Sequence, residues 1–295
     1  MKVLLVTAFD SNYFELGQGT VLSIRDQPRG KTVDIAVLNL GLSAEQTQWL
    51  QSRANFLIEP KWDFDFPNRD TAPGFLRLLL ARPFLRQYFP GYDVYVWIDA
   101  DAWVQDWEGV DLLIRGALRR RGMAVSVELH RASQQQFGDL PYIRRWIHET
   151  YARMFQEDVA TALDSFPMIN AGVFALHHEA PHWELWRRVI QHILQRDASI
   201  MTDQFALNFV IYTQGLMDRT EILPEWCNWI PNGFPAWDPI RCVLTEPYLP
   251  HQPIGIVHMA GNKLAQAELQ QTTGGVITIP MRYPEFRSFV EQESK

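Results

Sequence analysis

Cysteine is almost absent from this chain. Its 295 residues include two, Cys227 and Cys242, too few for a disulfide framework and without the CxxC or Cys/His spacing of a zinc site. A reducing compartment is expected. Long apolar runs are missing as well. The N-terminal run Val3–Phe9 stops at Asp10, well short of the roughly 20 residues of a spanning helix and without the small-residue cleavage site of a secretory leader. No transmembrane segment is expected. Positive charge is in deficit, with 27 Lys and Arg against 34 Asp and Glu and a formal charge of −7. Such a chain gains little by releasing counterions from a phosphate backbone, so sequence-independent nucleic-acid binding is not expected. Internal repeats, low-complexity tracts and Gly/Ser linkers are lacking too, which favours one α/β domain with loop insertions over two.

What is present is core-forming. With 47% hydrophobic and 21% charged residues, the composition supports a full core and excludes a disordered chain. Val3–Val6, Val33–Leu38, Val94–Ile98, Met123–Val127, Met168–Leu176 and Ile254–Val257 are short continuous apolar runs, as expected of strands buried on both faces. Between them lie helix-compatible segments at Tyr13–Arg25, after Ser43 with its capping-box partner Gln46, at Phe75–Tyr88 apart from Pro83, at Leu112–Arg120, at Ile143–Phe155 behind Pro141, and at Pro181–Gln195 and Asp203–Thr213. Pro60–Pro73 reads as a loop. Alternating strands and helices predict a mainly parallel, Rossmann-like α/β sheet with helices on both faces. The domain is expected to span residues 1–262, with 263–295 as a C-terminal extension packed on the outside.

Chemistry is suggested first by Asp99-Ala100-Asp101, immediately after VYVWI. Residues i and i+2 of an extended chain face the same side about 6.5–7 Å apart, so two carboxylates can converge beyond the strand's carboxyl end. That edge is where open α/β sheets bind ligands. Two unpaired carboxylates beside an apolar strand call for a positive partner, and hard cations such as Mg²⁺ or Mn²⁺ take oxygen ligands. Ile169-Asn170-Ala171-Gly172-Val173 interrupts a strand with an amide and a glycine, which reads either as a β-bulge or as a ligand-approach turn. Thr202-Asp203-Gln204 opens a helix, where Thr202 or Asp203 would serve as N-cap. His258 ends a late strand and is followed by Gly261 and Lys263. A neutral imidazole there would complete a cation site.

The ordered set of an N-terminal strand ending in Asp-Ser-Asn-Tyr, then DxD, NAG, DQ and HxxG with lysine resembles the retaining GT-A glycosyltransferases of family 8, which include glycogenin and bacterial lipopolysaccharide galactosyl- and glucosyltransferases. The resemblance runs from about Val3 to Lys263. It implies a GT-A fold and a hexosyltransferase that takes a nucleotide sugar of the UDP-Glc or UDP-Gal type, with a saccharide or glycolipid as acceptor, in the making of cell-envelope polysaccharide. It also implies a cytoplasmic enzyme, free or peripheral at the inner face of the membrane. By position, Ala8, Asp10, Asn12 and Tyr13 would hold base and ribose. Asp99, Asp101 and His258 would ligate Mn²⁺ or Mg²⁺, with Ala100 between the acids beside the donor. Arg82, or alternatively Arg77, would reach the donor sugar or diphosphate. Asn170, Ala171 and Gly172 match the sugar-binding turn, and Asp203 and Gln204 the acid and amide beside the transferred sugar. Gly261 and Lys263 match the diphosphate-binding end, although this chain has one residue fewer between them and lacks the usual Pro-Trp that follows. The family suggests front-side attack, with Gln204 near the reacting face and Asp203 positioning sugar hydroxyls.

Acceptor contacts are sought among loop aromatics, namely Trp62, Phe64 and Phe66 in one loop and Trp226, Trp229 and Trp237 beside Asn228 and Asn232 in another. Most of the 11 tryptophans, Trp97 included, are expected in the core. The competing readings are a sugar- or nucleotide-binding module without turnover and a nucleotidyltransferase, although no Gly-Ser signature precedes Asp99. A haloacid-dehalogenase phosphatase would want threonine where Trp103 stands.

Overall fold

In the computed structural model, which describes residues 1–128, 140–230, 234–261 and 263–293, the apolar runs assemble one seven-stranded sheet. Its strands are β1 (Val3–Asp10), β2 (Asp34–Leu40), β3 (Phe56–Ile58) and β4 (Val94–Ile98), then, past a short β5 (Ala102–Val104) that leaves the sheet, β6 (Met123–Val127), β7 (Ile169–His177) and β8 (Thr220–Leu223). The spatial order is β3-β2-β1-β4-β7-β6-β8. Pairings β1–β2, β2–β3, β1–β4 and β6–β8 are parallel, whereas β7 runs antiparallel to both β4 and β6. Side chains alternate between faces, so Leu4, Val6, Tyr95 and Trp97 enter one core while Leu5, Val94, Val96 and Ile98 enter another. Each such fully buried aliphatic side chain contributes about 1.5–3 kcal/mol relative to exposure.

Strand direction decides where chemistry can gather. The parallel strands β1 and β4 end at Asp10 and Ile98 on one edge of the sheet, and because β7 is reversed its beginning, Ile169–Gly172, lies at that same edge. The carboxyl end of β6, followed by Glu128, arrives there too, since β6 opposes β7.

Two departures from the sequence pattern matter for the site. The predicted helix Phe75–Tyr88 is broken into helix Leu76–Leu80, a 3-10 turn Arg82–Phe84 and helix Leu85–Tyr88, because Pro83 has no N–H to donate and its ring crowds the preceding turn. Asp203 does not cap its helix: helix Thr202–Thr213 starts from Met201 with no side-chain cap, and the Thr202 hydroxyl instead accepts the Ser199 N–H.

A third core joins the later segments. β11 (Ile256–His258) pairs antiparallel with β5, setting His258 opposite Ala102. Two further hairpins, β9 (Ala236–Asp238) with β10 (Val243–Thr245) and β12 (Gln266–Gln270) with β13 (Val276–Pro280), precede helix Tyr283–Glu293. Residues from both sides of position 262, among them Trp103, Trp229, Trp237, Ala267, Ile279 and Phe286, share this core. The Trp103 indole N–H donates to the Met281 carbonyl at 2.9 Å. Among the described residues, no helix is long and apolar enough to cross a membrane.

Candidate metal and donor site

The turn after β4 is held from below. The buried Thr20 hydroxyl, on helix Phe14–Asp26, lies 2.9 Å from the Ala100 carbonyl and 2.6 Å from that of Ala102, and Asp99 N–H donates to the Gly172 carbonyl at 2.8 Å. Ala100 itself is buried, so it contributes a braced backbone rather than an exposed side chain. Thus fixed, Asp99 and Asp101 meet His258, whose Nε2 lies 3.4 Å from Asp101 Oδ1 and 3.9 Å from Asp99 Oδ2. One ligand-type atom from each residue falls within 4.8 Å of the other two.

Three observations test whether this cluster fits a divalent cation. Ligands bonded at roughly 2.0–2.2 Å to one small cation sit about 3–4 Å from one another, which matches the separations above. Asp99 Oδ1 is already taken, accepting from Trp97 Nε1 at 2.6 Å and Arg82 Nη2 at 2.5 Å, so Oδ2 is the oxygen turned to His258. Lastly, a Cβ on Gly172 would lie 2.4 Å from His258 Cε1 and 2.6 Å from Asp99 Oδ2. The missing side chain gives the cluster its room. Two carboxylates and an imidazole suit Mn²⁺ or Mg²⁺ in donor type, and the group can hold a divalent metal.

Behind the acids, Arg82 is buried and its fork spans Asp203 and Asp99 while its guanidinium lies over the Trp97 ring, 4.9 Å from the centroid. Burial lowers the Arg82 pKa, but the two carboxylates outweigh it and hold the group firmly charged. Burial pushes the Asp203 carboxyl up, with Arg82 only partly offsetting it. One guanidinium is thus shared by Asp203 and Asp99, so Arg82 offsets only part of the negative charge of Asp99, Asp101 and Asp203. At Asp101 burial acts upward, yet His258 and Lys263 hold the carboxyl below its ordinary range. His258 is raised: burial works against the cation, and Asp101, Asp99 and Glu128 more than compensate.

The remaining expected residues divide. Arg77 is elsewhere, paired with Glu59 at 3.2 Å and 5.9 Å from the Trp62 centroid. Asp10 Oδ1 accepts from the N–H groups of Asn12 and Tyr13 at 2.9 and 3.0 Å, closing the turn after β1. Ala8, one face-step earlier on β1, is half-buried against the first core. The Lys263 ammonium lies 3.9 Å from the Tyr13 ring centroid, hydrogen-bonds its hydroxyl, and is 4.0 Å from Asp101 Oδ2. Gly261 adopts φ +74, a left-handed turn that favours glycine. Asn170–Val173 is a bulge: on β6 the pairing steps from Val125 to Val127 while on β7 it jumps from Phe174 to Ile169. The aromatic loops are mostly core, with Phe64, Phe66, Trp229 and Trp237 buried, so these rings cannot stack on a sugar. Asn232 lies outside the described residues.

Glu128 escaped the sequence pattern, and Asn228 was expected only on the acceptor side. Glu128 follows β6 as Asp99 follows β4, an equivalent signal, and its Oε1 accepts from Asn170 Nδ2 at 2.8 Å and Gln204 Nε2 at 3.0 Å. Burial raises its pKa, partly opposed by those two amides. Asn228, sought as an acceptor contact, is buried with Oδ1 2.9 Å from His258 Nδ1. A cleft bounded by Lys2, Asp34, Phe56 and Tyr92 opens at the opposite, amino edge of the strands, away from all these groups.

The architecture is that of GT-A glycosyltransferases. The chain is similar to the bifunctional glycosyltransferase WbbM in its apo form, with TM-score 0.52 and 18% identity over 88% of this chain and 46% of that one. It thus spans less than half the length of that protein. The galactosyltransferase LgtC, solved with donor and acceptor sugar analogues, matches with TM-score 0.50 and 14% identity over 88% of this chain and 87% of its own. Mouse xyloside xylosyltransferase 1, in its apo form, matches with TM-score 0.50 and 11% identity over 90% and 99% respectively. No family model and no curated protein matches the sequence.

Proposed function

We propose that this chain is a metal-dependent, retaining glycosyltransferase of the family-8 type, moving a hexose from a UDP-linked sugar to a saccharide or glycolipid hydroxyl. The observation that carries the reading is the Asp99, Asp101 and His258 cluster at the carboxyl edge of a GT-A sheet, backed by the Arg82–Asp203 pair. Mn²⁺ or Mg²⁺, bound there, would supply a Lewis acid for the departing diphosphate. The chain's own groups do the rest. Tyr13 offers an exposed ring for the base and Lys263, a third exposed beside Asp101, a counter-charge for a phosphate. Arg82 and Asp203 hold fixed charges beneath the sugar, and Gln204 presents its amide beside Ala171. We assign residues 1–262 to the transferase domain and 263–295 to an extension that completes the third core.

A panel of nucleotide sugars assayed with and without Mn²⁺ for nucleoside diphosphate release tests this. Release that depends on metal, with an α-linked product from an α-linked donor, is expected. Failure to bind or cleave any nucleotide sugar with metal present overturns it, and a β-linked product from such a donor overturns retention.

A further inference from the structure

Two backbone N–H groups at the start of β7 can only donate, and they set the polarity of a hydrogen-bonded chain through the site. Ala171 N–H donates to Gln204 Oε1 at 3.1 Å and Gly172 N–H to Asn170 Oδ1 at 2.9 Å. With both oxygens committed, both amide nitrogens turn to a common acceptor, Glu128 Oε1. Asn170 Oδ1 also accepts from Asn228 Nδ2 at 3.0 Å, which turns Asn228 Oδ1 toward His258 Nδ1 at 2.9 Å. That oxygen requires an N–H on Nδ1 and leaves Nε2 facing Asp99 and Asp101. Every link has one donor and one acceptor, so reversing any amide would set N–H against N–H or oxygen against oxygen.

We infer that Glu128 and Asn228 are positioning residues: Asn228 directly, and Glu128 through Asn170, hold the His258 ring in the orientation that ligates a cation, and the shared Glu128 oxygen ties that ring to the Gln204 amide. Outer partners of a ligating histidine fix its tautomer and ring angle, and losing one typically costs 10–100-fold in metal affinity. The distinctive consequence is reach. Glu128 has no hydrogen bond to any of the three ligand residues, yet its removal leaves the Asn170 and Gln204 amide nitrogens without their shared buried acceptor, loosening Asn170 about its remaining anchor on the Gly172 N–H, then Asn228, then the imidazole. The inference rests on the proposed cation site, but its polarity claim can be read without metal.

The test uses the full chain and four proteins: wild type, Glu128→Leu, Glu128→Gln and Asn228→Leu, each checked for cooperative unfolding. In metal-free ¹H–¹⁵N spectra the His258 Nδ1–H should give an exchange-protected, downfield signal in wild type and in Glu128→Gln, whose carbonyl oxygen can still accept both amides. It should be lost in Asn228→Leu and lose protection in Glu128→Leu. Mn²⁺ titrations followed by electron paramagnetic resonance should show about tenfold weaker binding in Glu128→Leu and up to about 100-fold in Asn228→Leu, with Glu128→Gln restored to near wild type. An unchanged His258 signal in Glu128→Leu overturns the inference whether or not metal binds, and should that variant not fold, failure of Glu128→Gln to keep the wild-type signal does the same. If wild type and Glu128→Gln alone show the protected signal while wild type binds no Mn²⁺, the positioning chain stands and the cation reading fails.

Discussion

Replacing Gly172 by alanine adds one methyl group at the point where two of the three candidate ligand side chains, His258 and Asp99, meet. Its Cβ would sit 2.4 Å from His258 Cε1 and 2.6 Å from Asp99 Oδ2, whereas carbon contacts settle near 3.5–4.0 Å. One or both ligands must therefore retreat by about 1 Å. Neither has an easy path, since His258 is fastened by Asn228 and Asp99 by Arg82 and Trp97. Displacement of that size is worth roughly 10²-fold in a reacting geometry and, at a metal site, about 10–100-fold in affinity, or about 1.4–2.8 kcal/mol. The backbone at Gly172 is not in the left-handed region, so no conformational penalty adds to the steric one. Glycine to alanine at such a position ordinarily stabilises by about 0.4–1 kcal/mol, whereas overpacking costs about 1–3 kcal/mol. Mn²⁺ titration and urea unfolding of Gly172→Ala, His258→Ala and the double variant measure both terms. Part of the stability lost in Gly172→Ala should be recovered against the His258→Ala background, because removing the ring removes the nearer of the two clashes. A folded Gly172→Ala that binds Mn²⁺ within twofold of wild type refutes the reasoning.

Arg82→Met should cost about 3–5 kcal/mol in urea unfolding, since it strands Asp203 and half of Asp99 without their buried counter-charge; a loss under 1 kcal/mol would show that the carboxylates find other partners. Lys263→Ala should weaken nucleoside diphosphate binding about tenfold in calorimetric titration, the scale of one charge-assisted hydrogen bond, while leaving Mn²⁺ affinity within about threefold; equal losses of both would place the lysine at the cation instead. His182 supplies a pH test far from the site. Burial pushes its pKa down to about 3, with Nε2 against the Thr220 hydroxyl at 3.0 Å and Nδ1 buried without a partner, so the folded ring refuses a proton that the unfolded one accepts below about pH 6.5. Stability should fall as pH drops through that window, by about 2 kcal/mol between pH 6.5 and 5, and His182→Leu should lack this component; parallel pH profiles for the two proteins would contradict it.

The legible part of the site is the part written in short stretches of chain. Asp99 and Asp101 announce themselves because two acids follow five fully buried residues, and His258 because it ends an apolar run. What places His258 opposite Ala102 is the pairing of β5 with β11, a contact across more than 150 positions that no local periodicity encodes. Arg77 stands beside Arg82 as an alternative in the sequence for a related reason. An unbroken helix would have put both on a surface of uncertain phase, and it is the break at Pro83 that turns Arg82 inward to Asp203 while Arg77 stays with Glu59. Asp203 read as a helix cap because capping is the commonest use of an acid at a helix start, and burial against a distant arginine overrides that local preference. Glu128 and Asn228 are the least legible in the sequence, since their contacts depend on hydrogen-bond direction. An amide is polar at both ends, and which end of Asn228 faces His258 follows from the N–H group of Gly172 acting through Asn170, on a strand that bulges at that point. The NAG segment therefore carries more than a bulge or a ligand-approach turn alone describes: its glycine leaves room beside His258 and Asp99, and its backbone N–H groups set the polarity of the amides that reach His258.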